Sequence, residues 1–126
     1  MRRAEEPPHR VHLMSDTAKI RALNDAFRRG ERPDLGRIMI TSGVRDLAAA
    51  WPLGKVAVYA KVQAFDAFTK DNDPYFEQDF GSFEFAGVTC YFKIDYLDKA
   101  MKCDSEDPAD ETKTTRLLVI MRADEY

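Results

Sequence analysis

Residues 65–98 read FDAFTKDNDPYFEQDFGSFEFAGVTCYFKIDYLD and contain most of the aromatic residues and many of the acidic residues of the chain. The second half of this stretch alternates apolar and polar residues on both sides of the pair Ala86-Gly87. One face would carry Phe83, Phe85, Val88, Cys90, Phe92 and Ile94. Alternation with a period of two around a short turn predicts a β-hairpin with one buried face.

The first half of the stretch, residues 69–75, shows no period and is rich in Asp, Asn and Pro. These residue types favour turns, because their side chains or fixed backbone angles suit tight changes of direction. We therefore expect the chain to cross the surface as an acidic loop before it enters the hairpin.

The size and composition of the chain indicate one globular domain. It has 126 residues, of which 44% are hydrophobic and 33% are charged, and a chain of this length can bury a core without disulfides or metals. No apolar run approaches the ~20 residues of a membrane span, and the N-terminus lacks the apolar region of a signal peptide. We expect a cytoplasmic protein in which Cys90 and Cys103 are free thiols.

The N-terminal part predicts a flexible arm followed by an amphipathic helix. Residues 1–14 contain Pro7, Pro8 and several charges without a period, whereas residues 15–126 form the predicted domain. Ser15 or Asp16 can cap a helix, and Gly30 can end it in the left-handed conformation. Between them, apolar residues recur at helical spacing at Ile20, Leu23 and Phe27.

The middle of the chain predicts two strands and a short helix. Residues 37–41 are apolar and partly β-branched, which favours a strand. Residues 44–51 have helical spacing, are stopped by Pro52, and place Trp51 in the core. Residues 55–65 alternate small apolar residues with other residues, which predicts a second strand with one buried face.

The C-terminal segment, residues 114–121, is nearly continuously apolar from Leu117 to Ile120. Such a run is typical of an internal strand that is covered on both faces. Together these elements predict an α+β fold, in which an N-terminal helix and a short second helix pack on a mainly antiparallel sheet of four to five strands.

Charge is distributed unevenly along the chain. Residues 66–111 contain 13 Asp and Glu against 4 Lys and Arg, so their local balance is −9, while the whole chain is at −3. Acidic loops commonly serve only to solvate one end of a domain. The alternative is an acidic face for a basic protein partner, whereas direct binding to nucleic acid is disfavoured.

Specific catalytic and metal-binding motifs are missing from the sequence. An EF-hand loop beginning at Asp71 would need Gly and Glu where the chain has Phe76 and Ser82. The histidines, His9 and His12, lie in the predicted arm, so we assign no catalytic residue, metal ligand or cofactor. Paired carboxylates remain an alternative for acid–base chemistry, and the candidates are Asp79, Asp95 and Asp98.

The acidic loop contains the predicted partner-binding residues. Tyr75 follows Asp73-Pro74, where a turn would direct its ring outward, and aromatic residues commonly anchor protein interfaces. We predict a contact patch formed by Asp71, Asp73, Tyr75 and Glu77.

Eight short segments resemble a bacterial family of small proteins known only as a domain of unknown function. The segments are IRALNDAFR at 20–28, GR at 36–37, TSGV at 41–44, FDAFT at 65–69, NDPY at 72–75, FKIDY at 92–96, DPAD at 107–110 and TR at 115–116. The resemblance covers about residues 16 to 126. It implies no activity and no catalytic residue, and the occurrence of such proteins in chromosomes and mobile elements is compatible with an accessory role.

Two functional hypotheses follow. The preferred one is a binding protein rather than an enzyme, in which the acidic surface engages a basic protein partner, for example as an inhibitor that imitates nucleic-acid charge against a defence nuclease. The alternative is a small metal-dependent hydrolase or nuclease that uses clustered carboxylates.

Overall fold

The computed structural model describes residues 9–126, with side chains described from Asp16 onward. Its helices are α1 (His9–Arg28), α2 (Ser42–Ala49) and α3 (Gly54–Ala64). Its strands are β1 (Gly36–Ile40), β2 (Phe80–Phe85), β3 (Val88–Leu97) and β4 (Thr115–Arg122), and short 3-10 turns cover Pro33–Leu35 and Ala123–Glu125.

The four strands form one mixed sheet in the order β1-β4-β3-β2. Strand β4 pairs antiparallel with β3 and parallel with β1, while β2 and β3 form an antiparallel hairpin. The prediction of an α+β fold with a mainly antiparallel sheet is therefore confirmed, and so is the internal position of the last strand.

The core lies between one face of the sheet and the helices. Phe92 of β3 and Ile120 of β4 are opposite each other in the register and are both 0% exposed. Phe27 of α1, Val44 of α2 and Val58 of α3 belong to the same cluster of buried residues. We call this face the helix face, and we call the opposite face, which carries Tyr91, Lys93 and Asp95, the outer face.

The hairpin and the end of α1 match their sequence predictions. Ala86 and Gly87 have φ angles of 53° and 78°, as expected for a two-residue turn in which both residues are left-handed. Gly30 follows α1 with a φ of 79°, so it ends the helix as predicted. Cys90 is a buried free thiol and Cys103 an exposed one.

The predicted strand at residues 55–65 is wrong, because this segment is the helix α3. Val58 and Val62, four residues apart, are each 1% exposed, while Val56 is 61% exposed. A strand would have buried all three on one face, whereas a helix turns Val56 away from the other two. The alternation of small apolar residues was therefore compatible with either structure.

Two further predictions need correction. Helix α1 begins at His9, so residues 9–14 of the predicted arm are helical, whereas residues 1–8 lie outside the described residues. Trp51, which was expected in the core, is 54% exposed at the corner between α2 and α3. No helix in residues 9–126 has the length and apolar character that a membrane crossing requires.

Candidate binding site

A buried arginine of β4, Arg116, makes hydrogen bonds to two other parts of the chain. Arg116 points to the helix face of β4 and is 0% exposed. Its Nε donates a hydrogen bond to Oδ1 of Asn24 at 2.7 Å, and its Nη2 donates to the backbone oxygen of Pro108 at 2.8 Å. Burial lowers the pKa of Arg116, and a desolvated charge of this kind is tolerated only with good partners. The arginine therefore links α1, β4 and the loop between β3 and β4.

Tyr96 extends this polar network towards the acidic loop, which in the structure comprises residues 65–79 between α3 and β2. Its ring lies 5.3 Å from the guanidinium group of Arg116. Its hydroxyl group donates to Oε1 of Glu77 at 2.7 Å and accepts a hydrogen bond from Nδ2 of Asn24 at 2.8 Å. Burial and the bond to Glu77 raise the pKa of Tyr96 well above its ordinary value. The hydroxyl thus stays protonated at neutral pH and remains a donor.

A second buried arginine, Arg28, has a structural role. Its side chain is 1% exposed, and its Nη1 lies 2.9 Å from Oδ1 of Asp25. The guanidinium group stands 5.1 Å from the centre of the Phe68 ring and donates to the backbone oxygen of Phe65 at 3.3 Å. Its partners lie on α1 and directly after α3, so Arg28 holds these two parts of the chain together.

A cleft of about 390 Å³ lies above Tyr96, and we call it the Asp79 cleft. Three of its lining residues are acidic, namely Asp79, Asp95 and Asp104. Burial raises the pKa of Asp79, and the negative charges of Glu77, Asp73 and Asp95 raise it further. The remaining lining residues are Ile94, Tyr96, Ser105 and Pro108. The cleft is therefore a site of negative potential in which one carboxylate is costly to ionise.

A wider cleft of about 490 Å³ lies between α1 and the loop that joins β3 to β4. Its lining includes one cation, Lys19, and four acidic residues. The acidic residues are Asp16, Asp107, Asp110 and Glu111. Since Asp107 and Pro108 are adjacent in sequence, one loop contributes to the walls of both acidic clefts.

The β3–β4 loop, residues 98–114, is held by its own hydrogen bonds. The hydroxyl group of Thr114, which is 1% exposed, donates to the backbone oxygen of Asp107 at 2.9 Å. The hydroxyl groups of Ser105 and Thr114 are 2.7 Å apart, and the backbone N–H of Asp107 donates to Oγ of Ser105 at 3.1 Å. These bonds, together with the one from Arg116, fix the acidic walls in place.

Two of the four residues of the predicted contact patch are exposed, and the other two are buried or half-buried. Asp71 and Tyr75 are exposed, with Tyr75 at 78%. Asp73 is only 5% exposed, and its Oδ1 accepts a hydrogen bond from the backbone N–H of Gln78 at 3.0 Å. Glu77 is half-buried and bound to Tyr96. Asp73 and Glu77 thus order the acidic loop from within, and the expectation that Asp73 lies on an open patch is corrected.

An apolar corner that the sequence did not predict lies between α2 and α3. Trp51, Leu53 and Val56 are 54%, 79% and 61% exposed. Leu53 also has a φ of 54°, a left-handed backbone angle that costs conformational free energy in a residue with a Cβ. Beside this corner lies a groove of about 270 Å³ whose lining includes Lys61 and Phe85.

The described part of the chain contains no cluster of potential metal ligands. Among these residues, no group of three or more His, Cys, Asp or Glu side chains is arranged to hold an ion. The carboxylates of the Asp79 cleft share a cavity, but the geometry does not bring them into a coordination shell.

Sequence reasoning missed the network because its members are far apart along the chain. Asn24, Tyr96 and Arg116 come from three different elements, and none of them belongs to a catalytic or metal-binding motif. The one available signal was the resemblance, since its segments at 20–28, 92–96, 107–110 and 115–116 all meet at this network.

A family model described as "Protein of unknown function (DUF3768)" matches residues 40–125. The match includes β1's last residue and every later element, and therefore Tyr96, Arg116 and the whole Asp79 cleft. No curated protein and no solved structure matches the chain.

Proposed function

The chain belongs to the DUF3768 family of proteins of unknown function, and since that description assigns no activity, we propose a function from the geometry. The protein is a binding protein that uses the Asp79 cleft to hold basic side chains of a protein partner. The observation that carries this proposal is the placing of Asp79, Asp95 and Asp104 around one cleft.

The electrostatics of the cleft favour a cationic guest. Asp79 is crowded by the charges of Glu77, Asp73 and Asp95, so a Lys or Arg side chain that enters would relieve repulsion as well as form an ion pair. Asp95 is bound to Lys93 at 2.9 Å, but this pair lies at a half-exposed position and can be exchanged at little cost.

The support beneath the cleft is suited to binding. Tyr96 and Pro108 line the cleft, and both are fixed by hydrogen bonds to the network of Asn24, Glu77 and Arg116. A pre-organised wall loses little conformational entropy when a partner binds. The acidic loop lies next to the cleft, so the exposed Asp71 and Tyr75 are proposed as outlying contacts of the same partner.

The kind of partner is suggested by the density of carboxylates. The two acidic clefts share the β3–β4 loop, and acidic residues line both of them. A protein that normally binds nucleic acid offers the complementary basic surface. We therefore propose that the protein is an accessory inhibitor that imitates nucleic-acid charge, which is compatible with the accessory role that the sequence resemblance implies.

The test uses a fluorescent nona-arginine peptide and the full chain. The double substitution Asp79→Asn with Asp104→Asn should weaken binding about tenfold at low salt, and the effect should shrink as salt is added. The matched control is Asp46→Asn with Glu84→Gln, because both residues are exposed, lie on α2 and β2, and remove the same total charge. Equal losses in the two double variants would mean non-specific attraction and would refute the cleft.

The inhibitor proposal has its own test. Nucleic-acid-binding proteins of the host should be captured by the wild-type chain, be released by added duplex DNA, and escape the Asp79/Asp104 variant. Capture that DNA does not compete for would contradict charge imitation while leaving the cleft proposal intact. We do not propose the hydrolase alternative, since it gains no support from the arrangement of acidic residues in the described part of the chain.

A further inference from the structure

Strand β1 has one free edge. It lies at the end of the sheet order and pairs only with β4 among the described residues. Ile38 and Met39, at its centre, are 48% and 51% exposed. Natural edges of this kind are usually protected by a proline, a bulge or several charges, whereas β1 has the sequence GRIMI with one charge.

The register of the sheet shows which backbone groups are free. The N–H of Thr41 donates to the carbonyl group of Ile120 at 3.0 Å. In a parallel ladder every second residue bonds to the same neighbour, so Arg37, Met39 and Thr41 direct their backbone groups to β4. Ile38 and its neighbours two residues away, Gly36 and Ile40, direct theirs away from the sheet.

This pattern is self-complementary about Ile38. If β1 met its own copy antiparallel with Ile38 on the two-fold axis, Ile38 would face Ile38, and Gly36 would face Ile40. Those are the residues whose N–H and carbonyl groups point away from β4 and bond to no other described residue. Three hydrogen-bonded pairs would therefore form, each exchanging two bonds. A shift by one residue would bring together groups that already bond to β4.

The side chains fit the same register. On the outer face Arg37 of one copy would lie opposite Met39 of the other, so no like charges oppose each other. On the helix face the two exposed Ile38 side chains would cover each other. The other edge strand, β2, exposes Glu84, a charge typical of protected edges.

We propose that β1 is a self-association edge, through which two copies of this chain form a symmetric dimer with one continuous eight-stranded sheet. Such an interface is isologous, as in most homodimers. It is independent of the Asp79 cleft, whose residues come from the acidic loop, β3 and the β3–β4 loop. Because five residues bury a small area, the dimer is expected to be weak and dependent on concentration.

Sedimentation velocity of the full chain over a range of concentrations tests the proposal. The mass should rise from that of the 14.4 kDa monomer towards twice that value. Ile38→Lys would place two cations opposite each other on the axis and should leave only monomer. Val56→Lys is the matched control, since it also replaces an exposed apolar residue but lies on α3, and it should leave dimerisation unchanged.

A second variant tests the register itself. Met39→Glu would place a carboxylate opposite Arg37 of the other copy on both sides of the axis, so it should increase the dimer fraction severalfold. A wild-type protein that is monomeric at every concentration would overturn the proposal. A dimer that Val56→Lys disrupts, or that Met39→Glu weakens, would overturn it as well, since the interface would then lie elsewhere or have another register.

Discussion

The hydroxyl group of Tyr96 lies 2.7 Å from Oε1 of Glu77 and joins the acidic loop to β3. Glu77 is therefore not simply an exposed surface charge, because its carboxylate accepts a hydrogen bond from a half-buried tyrosine. Through Asn24, which donates to both residues, the same network continues to Arg116. Hydrogen bonds thus connect the acidic loop at the surface to the buried side chain of Arg116.

Replacing Tyr96 with Phe tests the strength of this attachment. The substitution removes the donor to Oε1 of Glu77 and one acceptor of the Asn24 amide group, which keeps its bond to the backbone oxygen of Glu77. We therefore expect the free energy of unfolding to fall by about 1–3 kcal/mol. Denaturation by urea measures it. Tyr75→Phe is the control, because Tyr75 is 78% exposed and its stability should match that of the wild type. Equal stability of the two variants would show that the network is not stabilising.

Asp79 gives a prediction about pH. Its pKa is raised by burial and by nearby carboxylates, so above the ordinary carboxyl pKa the unfolded chain releases this proton more readily than the folded one. The ionised group therefore lowers stability at neutral pH and has no such cost in acid. Asp79→Asn should raise the free energy of unfolding at pH 7, and the gain should vanish near pH 3.

The control for this pH dependence is Asp46→Asn, which changes an exposed carboxylate on α2. Its stability relative to the wild type should be the same at both pH values. If Asp79→Asn destabilises the protein at pH 7, the carboxylate makes favourable contacts that outweigh the repulsion.

Two aspartates of the acidic loop are expected to behave differently. Asp73→Ala removes the carboxylate that accepts a hydrogen bond from the backbone N–H of Gln78. Because Asp73 is only 5% exposed, the free energy of unfolding should fall by about 1–2 kcal/mol. Asp71→Ala changes an exposed side chain and should leave the melting temperature unchanged. A thermal melt followed by circular dichroism distinguishes them, and similar melting temperatures would mean that Asp73 does not organise the loop.

Leu53 gives a prediction of increased stability. Its left-handed backbone angle costs about 1–2 kcal/mol for a residue with a Cβ, and its side chain, 79% exposed, gains little from burial. Leu53→Gly should therefore raise the free energy of unfolding by about 0.5 kcal/mol after the entropy cost of glycine. Val56→Gly, inside α3, should lower it by about 0.3–0.5 kcal/mol, the difference in helix propensity between valine and glycine. A loss of stability in Leu53→Gly would show that the exposed leucine makes stabilising contacts.

Local signals in the sequence predicted much of the fold. The hairpin followed from alternation around Ala86-Gly87, the end of α1 from Gly30, and the internal position of β4 from its apolar run. The first two signals depend on neighbours within a few residues. The third depends on burial, because a strand that is covered on both faces has an apolar composition. The identification of α3 failed because Val58 and Val62, which are four residues apart, lie on one face in a helix and also on one face in a strand.

The candidate site was less accessible to sequence reasoning. The roles of Asp73 and Glu77 are set by Gln78 and Tyr96, and Glu77 and Tyr96 are brought together only by the fold. Arg116 gave no local sign of burial, since a charged residue in a strand is ordinarily placed at the surface. Acidic residues were recognised as a group, but their division into buried acceptors and exposed charges depends on tertiary contacts.

The parallel pairing of β1 with β4 has a consequence for the order of folding. Gly36 lies beside Arg116 in this pair, so the two strands are joined across most of the length of the chain. During synthesis β1 emerges long before its neighbour, while the hairpin of β2 and β3 can already close. Because contacts between distant segments must overcome a large loop entropy, docking of β1 onto β4 is expected to limit the folding rate, and fragments that lack β4 cannot complete the sheet.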